Sequence, residues 1–158
     1  IQNLMFKIAQ KLDSKYILRS GGADGADLAF EKGSSKKEIY IPWRNFNSNK
    51  SNLIFDELPQ LKKMELLEIA SEHHPNWKFL KSEARKLMAR NVAQIKGYDN
   101  TYSKFVICYT KDGCESHLTR TYLTGGTGLA ISLASSLGIP VFNLKNNISL
   151  ERLVKFIS

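Results

Sequence analysis

Apolar segments of strand length alternate with segments of helical periodicity along this whole chain, and that order constrains its fold more than any other feature. Four runs are typical of buried strands, at residues 16–19, 37–43, 104–110 and 139–144. Six segments have helical spacing of apolar residues, at residues 3–12, 26–33, 60–72, 77–96, 127–138 and 149–158. This alternation predicts an α/β fold with a mostly parallel sheet and helices on both of its faces.

Length and composition indicate one globular domain over residues 1–158, because the chain has neither repeats nor a low-complexity linker. Residues 44–56 and 111–126 are predicted long loops, the first a functional loop or lid. Ser149 is the predicted N-cap of the last helix. No apolar run approaches the roughly 20 residues that span a bilayer, and no secretion signal opens the chain. We therefore expect a cytoplasmic protein without a membrane segment, in which Cys108 and Cys114 are reduced thiols.

The chain is basic, with 23 Lys and Arg against 15 Asp and Glu, a net charge of +8. Such a balance suits polyanionic partners, nucleotides or nucleic acid, although the basic residues also have the spacing of solvated helix faces. Neither the His73-His74 pair nor the Cys114-His117 pair has a full zinc ligand set or zinc-like spacing. The sequence therefore predicts neither a metal nor a cofactor.

Two glycine-rich loops precede predicted helices. SGGADGAD, at residues 20–27, follows the first predicted strand, and TGGTG, at residues 124–128, follows a strand and a long loop. Ligands of open α/β sheets bind beyond the carboxyl ends of the strands, where glycine lets backbone N–H groups approach a phosphate beside a helix N-terminus. The predicted phosphate cradle consists of Ser20, Gly21, Gly22, Ala23, Asp24, Gly25, Thr124, Gly125, Gly126, Thr127 and Gly128.

The alternative interpretation of these loops is that they form tight turns and helix caps without a ligand. Neither loop has GxGxxG in its usual position or GxxxxGK[ST], which disfavours a standard dinucleotide or P-loop site. Asp24 is placed to cap the following helix, and Asp27 to accept from a ribose hydroxyl or to anchor a loop. Asn91 falls on the apolar stripe of its helix, so Arg90 and Asn91 are either a structural anchor or a ligand contact.

Three segments resemble the DNA-processing protein A (DprA/Smf) family, in the family's order. They are SGGADGAD at 20–27, MARNVAQIKG at 88–97 and GGTGLAISLASSLGIPVFNL at 125–144. The resemblance is equally close to the superfamily that joins Smf/DprA to the LONELY GUY proteins (SLOG), whose small phage and bacterial members look especially similar. It implies a Rossmann-like, doubly wound fold in which both glycine loops, Asp27, Arg90 and Asn91 face one cleft. It also implies that the cleft binds single-stranded DNA or a nucleotide or ADP-ribose-type ligand, and that the chain forms homo-oligomers.

The chain departs from that superfamily in two places. LONELY GUY proteins hydrolyse a nucleotide's N-glycosidic bond with a PGGxGTxxE motif, and aligning TGGTGLAIS on the double glycine places Ser132 where the motif has Glu. A nucleotide N-glycosidase is therefore an alternative function, with Asp27 preferred as the catalytic carboxylate over Asp24 and Glu115. The family's first strand is not visible before Ile1, and we expect that residues precede Ile1. A third alternative is an interaction protein with a vestigial cleft.

Overall fold

Short parallel strands and longer helices make up the computed structural model, which describes all residues 1–158. The helices are α1 (Gln2–Leu12), α2 (Ala26–Gly33), α3 (Gln60–His73), α4 (Ser82–Lys96), α5 (Gly128–Ser136) and α6 (Asn147–Ile157). The strands are β1 (Leu18–Ser20), β2 (Lys37–Ile41), β3 (Leu53–Ile54), β4 (Val106–Cys108) and β5 (Val141–Asn143). This order confirms the predicted α/β class.

The strands form two small sheets. One has the order β1-β2-β3 and the other pairs β4 with β5, and every pairing is parallel. In the register, Arg19 lies opposite Glu38 and Ile107 lies opposite Phe142. A helix connects each of the pairs β1-β2 and β4-β5, as parallel strands require. The parallel pairing was predicted, whereas the division into two sheets was not.

Two clusters of buried side chains hold the helices against the strands. One cluster joins α3, α4 and α5 around Leu66 and Leu129, and the other joins α1, α2 and α6 around Met5. Alternate residues of a strand point to opposite faces, so in β4 Val106 packs on the first cluster and Ile107 on the second. The second sheet therefore has an apolar core on each face, which explains why its strands are nearly continuous apolar runs.

The strands are shorter than predicted or shifted by up to two residues, and α4, α6 and β3 differ further from the sequence predictions. α4 begins at Ser82 rather than at residue 77, because residues 77–79 form a separate 3₁₀ turn. The prediction that Ser149 is an N-cap is wrong: α6 begins at Asn147, and the Ser149 hydroxyl donates to Glu115 Oε2 at 2.5 Å. Residues 53–54, inside the predicted loop 44–56, form β3 because pairing with β2 satisfies their backbone.

Cys108 and Cys114 are both free thiols, as predicted, and both are buried. None of the six helices has both the length and the apolarity to cross a bilayer.

Candidate functional site

A cleft of about 890 Å³ opens between the two sheets, and backbone and side chains of both glycine loops line one end of it. We call that end the mouth; it is formed by Ala23, Asp27, Arg90, Asn91, Gly126 and Thr127. We call the remainder, which runs between β1 and β4, the groove. The mouth lies where β1 ends and α2 begins, the position at which open α/β sheets bind ligands.

Two consecutive residues of α4 connect the glycine loops. Arg90 donates through Nη1 to the carbonyl oxygen of Gly21, and Asn91 donates through Nδ2 to the carbonyl oxygen of Gly126 at 3.3 Å. Arg90 Nε also donates to Asn91 Oδ1 at 3.0 Å, which fixes both side chains relative to each other. The half-buried Asn91 is thus a structural anchor, and Arg90 is held at the mouth between the two loops.

Arg90 is a buried cation with no carboxylate paired to it. The residue is 6% exposed, and its guanidinium lies 5.4 Å from the ring centroid of Phe46. None of the six ion pairs involves it, and its hydrogen bonds go to neutral oxygen atoms. Burial lowers the pKa of Arg90, while the charge of Asp27 acts in the opposite direction. Because a buried charge is costly unless it is paired, an anion in the mouth would be stabilised here.

Three amides of the first glycine loop already have partners within the protein. Asp27 Oδ2 accepts from the N–H groups of Gly21 at 3.2 Å and Ala23 at 3.1 Å. Ser20 Oγ accepts from the N–H of Gly22 at 3.3 Å and donates to a carboxylate oxygen of Glu31 at 2.5 Å. The Asp27 carboxylate therefore fills the position that the sequence assigned to a phosphate, and it anchors the loop.

Burial raises the pKa of the Asp27 carboxyl, although the two amides and the nearby Arg90 guanidinium favour its charged form. Asp24 does not cap α2, contrary to the prediction. Its side chain is exposed, the N-cap is Gly25, and no side chain bonds the first turn. Gly25 has φ 82°, a left-handed conformation that glycine adopts without the steric cost of a Cβ.

The second glycine loop is open. Residues 122–127 form a 3₁₀ turn that leads directly into α5, and no side chain caps the α5 N-terminus. Gly125 and Gly126 are exposed, and a Cβ at either position would have no atom within 4 Å. Thr127 is also exposed and lines the mouth. This loop therefore offers uncovered backbone beside the positive end of a helix dipole.

The other two residues that the sequence assigned to this loop face inward. Thr124 is buried, and its hydroxyl donates to Asp112 Oδ2 at 2.5 Å and accepts from the N–H of Thr121 at 3.0 Å. Gly128 is buried beneath Arg120, whose Nε would lie 2.5 Å from a Cβ at that position. Among the hydroxyls predicted to bind phosphate, Ser20 and Thr124 are thus engaged with carboxylates, and Thr127 remains accessible.

The segment after β2, which was predicted to be a functional loop, adds Phe46 and Asn47 to the site. Phe46 lies under the Arg90 guanidinium, and Asn47 Nδ2 donates to the carbonyl oxygen of Gly22 at 3.2 Å. The length and the Asn-rich composition of residues 44–56 indicate a functional surface loop, but not which of its residues reach the cleft.

Two residues considered for glycosidic chemistry lie outside the cleft. Ser132 is buried between α5 and α3, where its Oγ is 2.9 Å from His73 Nδ1. Glu115 accepts from the N–H of Asn143 and from the Ser149 hydroxyl, so it fastens its loop to β5 and α6. No three His, Cys, Asp or Glu side chains lie close enough together to hold a metal ion.

Comparisons of the chain with family models, with curated proteins and with solved structures give no significant match.

Proposed function

We propose that the mouth of the cleft binds the phosphate group of a small nucleotide. The observation that carries this proposal is the buried Arg90 guanidinium, which lies between the two glycine loops without a carboxylate partner. The uncapped N-terminus of α5 and the open backbone at Gly126 line the same mouth. Together they supply a fixed cation, a helix dipole and exposed glycine backbone, the chemistry that recognises phosphate.

A free nucleotide fits this site better than a DNA strand does. The mouth has one enclosed cation, whereas single-stranded DNA requires a positively charged track that follows several phosphates. We also propose that the chain is DprA-like and that its fold is Rossmann-like and doubly wound. Both proposals are supported by the parallel strands that lead into glycine loops and helices.

A nucleotide N-glycosidase is the second candidate, and the position of Asp27 favours it. This carboxylate lines the mouth, and burial raises its pKa, which suits a group that exchanges protons or stabilises a cationic sugar. Against this role, one Asp27 oxygen is already committed to the amides of Gly21 and Ala23. Hydrolysis of a nucleotide that persists in Asp27→Asn would exclude Asp27 as the catalytic carboxylate, and absence of hydrolysis by the unmodified protein would exclude the glycosidase.

The test is calorimetric titration of the 158-residue protein with ADP, ADP-ribose and a short oligodeoxynucleotide, at about 50 and 500 mM salt. We expect saturable binding of ADP or ADP-ribose with a weak salt dependence. Arg90→Lys should weaken that binding at least about tenfold, because an ammonium cannot reproduce the fork of a guanidinium.

Arg85→Lys is the matched control, since Arg85 lies on the same helix, stacks on Trp77 and does not line the mouth. The affinity of Arg85→Lys for the nucleotide should stay within about twofold of that of the unmodified protein. If only the oligonucleotide binds, and its affinity falls steeply with salt, the ligand of the mouth is DNA rather than a free nucleotide. Absence of binding by all three probes would leave the interaction-protein alternative.

A further inference from the structure

Two carboxylates of α2 share one neighbouring hydroxyl at the first glycine loop. Asp27 and Glu31 are four residues apart, so they lie on the same side of the helix, one turn from each other. The buried Ser20 hydroxyl lies next to both, and it donates its only proton to Glu31 Oε2 at 2.5 Å. Glu31 therefore holds the hydroxyl proton, and Asp27 is left with the two backbone amides that bind its Oδ2.

Neither carboxylate belongs to an ion pair, and each one depends on a different cation. Arg90 of α4 favours the charged form of Asp27, and Lys37 of β2 favours the charged form of Glu31. Lys37 is fixed there, because its Nζ donates to the backbone oxygen of Glu31 at 2.9 Å. The other elements beside this loop contribute neutral side chains, Gln2 of α1 and Asn47 of the segment after β2.

An anion in the mouth would act unequally on the two carboxylates. Asp27 lines the mouth, whereas Glu31 does not. The cation that favours ionised Asp27 is Arg90, and Arg90 is also the cation that an entering phosphate would bind. Lys37 stays beside Glu31 whether or not the mouth is filled. Because like charges brought together favour protonation of one of them, Asp27 is the group that must lose its charge.

We propose that a phosphate entering the mouth draws one proton from the solvent onto Asp27 Oδ1, and that the carboxylic acid so formed donates a hydrogen bond to a phosphate oxygen. Both loop amides bind Oδ2, so Oδ1 is the oxygen that can carry the proton. Glu31 is a positioning residue here, since its charge disfavours ionised Asp27 while its bond to Ser20 holds the loop. The inference rests on the proposed function, because it concerns the same phosphate site.

The buried setting of the pair supports this step. Burial raises the pKa of Asp27 and the pKa of Glu31, and the charge of Asp27 raises the pKa of Glu31 further. That repulsion is mutual, so Glu31 also raises the pKa of Asp27. A phosphate in the mouth adds another anion and raises the pKa of Asp27 again. Between its pKa in the free protein and its higher pKa in the complex, binding takes up a proton, and affinity declines as pH rises through that window.

The experiment is calorimetric titration of the 158-residue protein with ADP-ribose, in two buffers of different ionisation enthalpy. ADP-ribose is the probe because both of its phosphates are esterified, and it lacks the terminal phosphate group that titrates at about pH 6. We expect the uptake of up to about one proton per bound ligand, and an affinity that falls at least about fivefold between about pH 4.5 and 8.5.

Three isosteric variants separate the charges from the hydrogen bonds. Asp27→Asn keeps an acceptor for the two amides and has a permanent N–H donor. It should take up no proton, and above about pH 8 it should bind ADP-ribose more tightly than the unmodified protein, which loss of a purely structural residue would not cause. Glu31→Gln keeps an acceptor for Ser20 but loses the charge, and should take up about half as many protons or fewer. Asp24→Asn is the matched control in the exposed part of the loop, and its proton uptake should be unchanged.

A second measurement needs no ligand. Carbon-13 NMR of the Asp27 carboxyl in the free protein should give a pKa above the ordinary value of about 3.9, and Glu31→Gln should lower it by at least about half a unit. A pKa at or below the ordinary value would overturn the inference. Binding without proton uptake, or uptake that persists in Asp27→Asn, would overturn it too and leave the phosphate site standing. If neither ADP-ribose nor ADP bound at any pH, the proposed nucleotide site would fail and this inference with it.

Discussion

The two glycine loops look alike in sequence but differ in how their backbones are used. In the first loop, Asp27 and Ser20 bind the amides, and a Cβ at Gly21 would lie 2.7 Å from Arg90 Nη1. In the second loop, Gly125 and Gly126 are exposed, and nothing lies near their Cβ positions. Glycine in the first loop permits close packing inside the protein, whereas glycine in the second keeps backbone open to the cleft. A glycine-rich motif therefore identifies a loop whose backbone must be free of side chains, but not whether protein atoms or the open cleft lie beside that backbone.

The largest expected difference concerns the glycines themselves. Gly21→Ala should lower the free energy of unfolding by about 2–3 kcal/mol, because its methyl group collides with a buried, hydrogen-bonded guanidinium. Gly126→Ala should change that free energy by less than about 0.5 kcal/mol, yet weaken nucleotide binding about tenfold by covering the open backbone. Urea unfolding and calorimetry measure the two effects. Equal destabilisation by both substitutions would show that the loops do not differ as described.

The next effect concerns the carboxylate that anchors the first loop. Asp27→Ala leaves the amides of Gly21 and Ala23 without their acceptor and should cost about 1–2 kcal/mol in urea unfolding. Asp24→Ala is the control in the same loop, since Asp24 is exposed and its side chain makes no cap, and its cost should be near zero.

Asp27→Asn separates the hydrogen bonds from the charge. Burial raises the pKa of Asp27 in the folded protein above the value of about 3.9 expected when unfolded. The folded state therefore binds more protons than the unfolded state between those two pKa values, and the contribution of Asp27 to stability declines as pH rises through that window. Asn lacks this titration, so the stability of Asp27→Asn relative to the unmodified protein should improve from about pH 4 upward and then level off. Urea unfolding between about pH 4 and 8 would contradict a raised pKa if the relative stability stayed constant.

The smallest effect concerns the bridge between the loops. Asn91→Ala removes the hydrogen bond to Gly126 O and the acceptor for Arg90 Nε, and should cost about 0.5–1 kcal/mol. Hydrogen exchange in residues 122–127 should also increase, because that loop loses its contact with α4. Gln94→Ala, one turn further along the same helix, should leave that exchange unchanged. The same increase in both variants would mean that α4 packing, rather than the Asn91 bond, orders the loop.

Local sequence was sufficient for features that depend on local physics. Periodicity located α1 and α2 and the cores of the other helices and of four strands, because the spacing of apolar residues follows from which face an element buries. It failed at β3, since a two-residue strand has no measurable period and exists through its pairing with β2. It failed again at the start of α6, because the hydroxyl of Ser149 bonds a carboxylate 34 residues away, Glu115.

By itself, the sequence determined that this protein is an α/β structure with parallel strands, and that glycine loops precede α2 and α5. Only the tertiary structure decided which loop is open, because the hydrogen-bond partners of backbone amides depend on which distant side chains arrive beside them. It likewise decided that Arg90 is buried without an ion pair, and that β1 and β4 face each other across a groove. Those properties arise from contacts between segments far apart in the chain, and residue type and spacing carry no information about them.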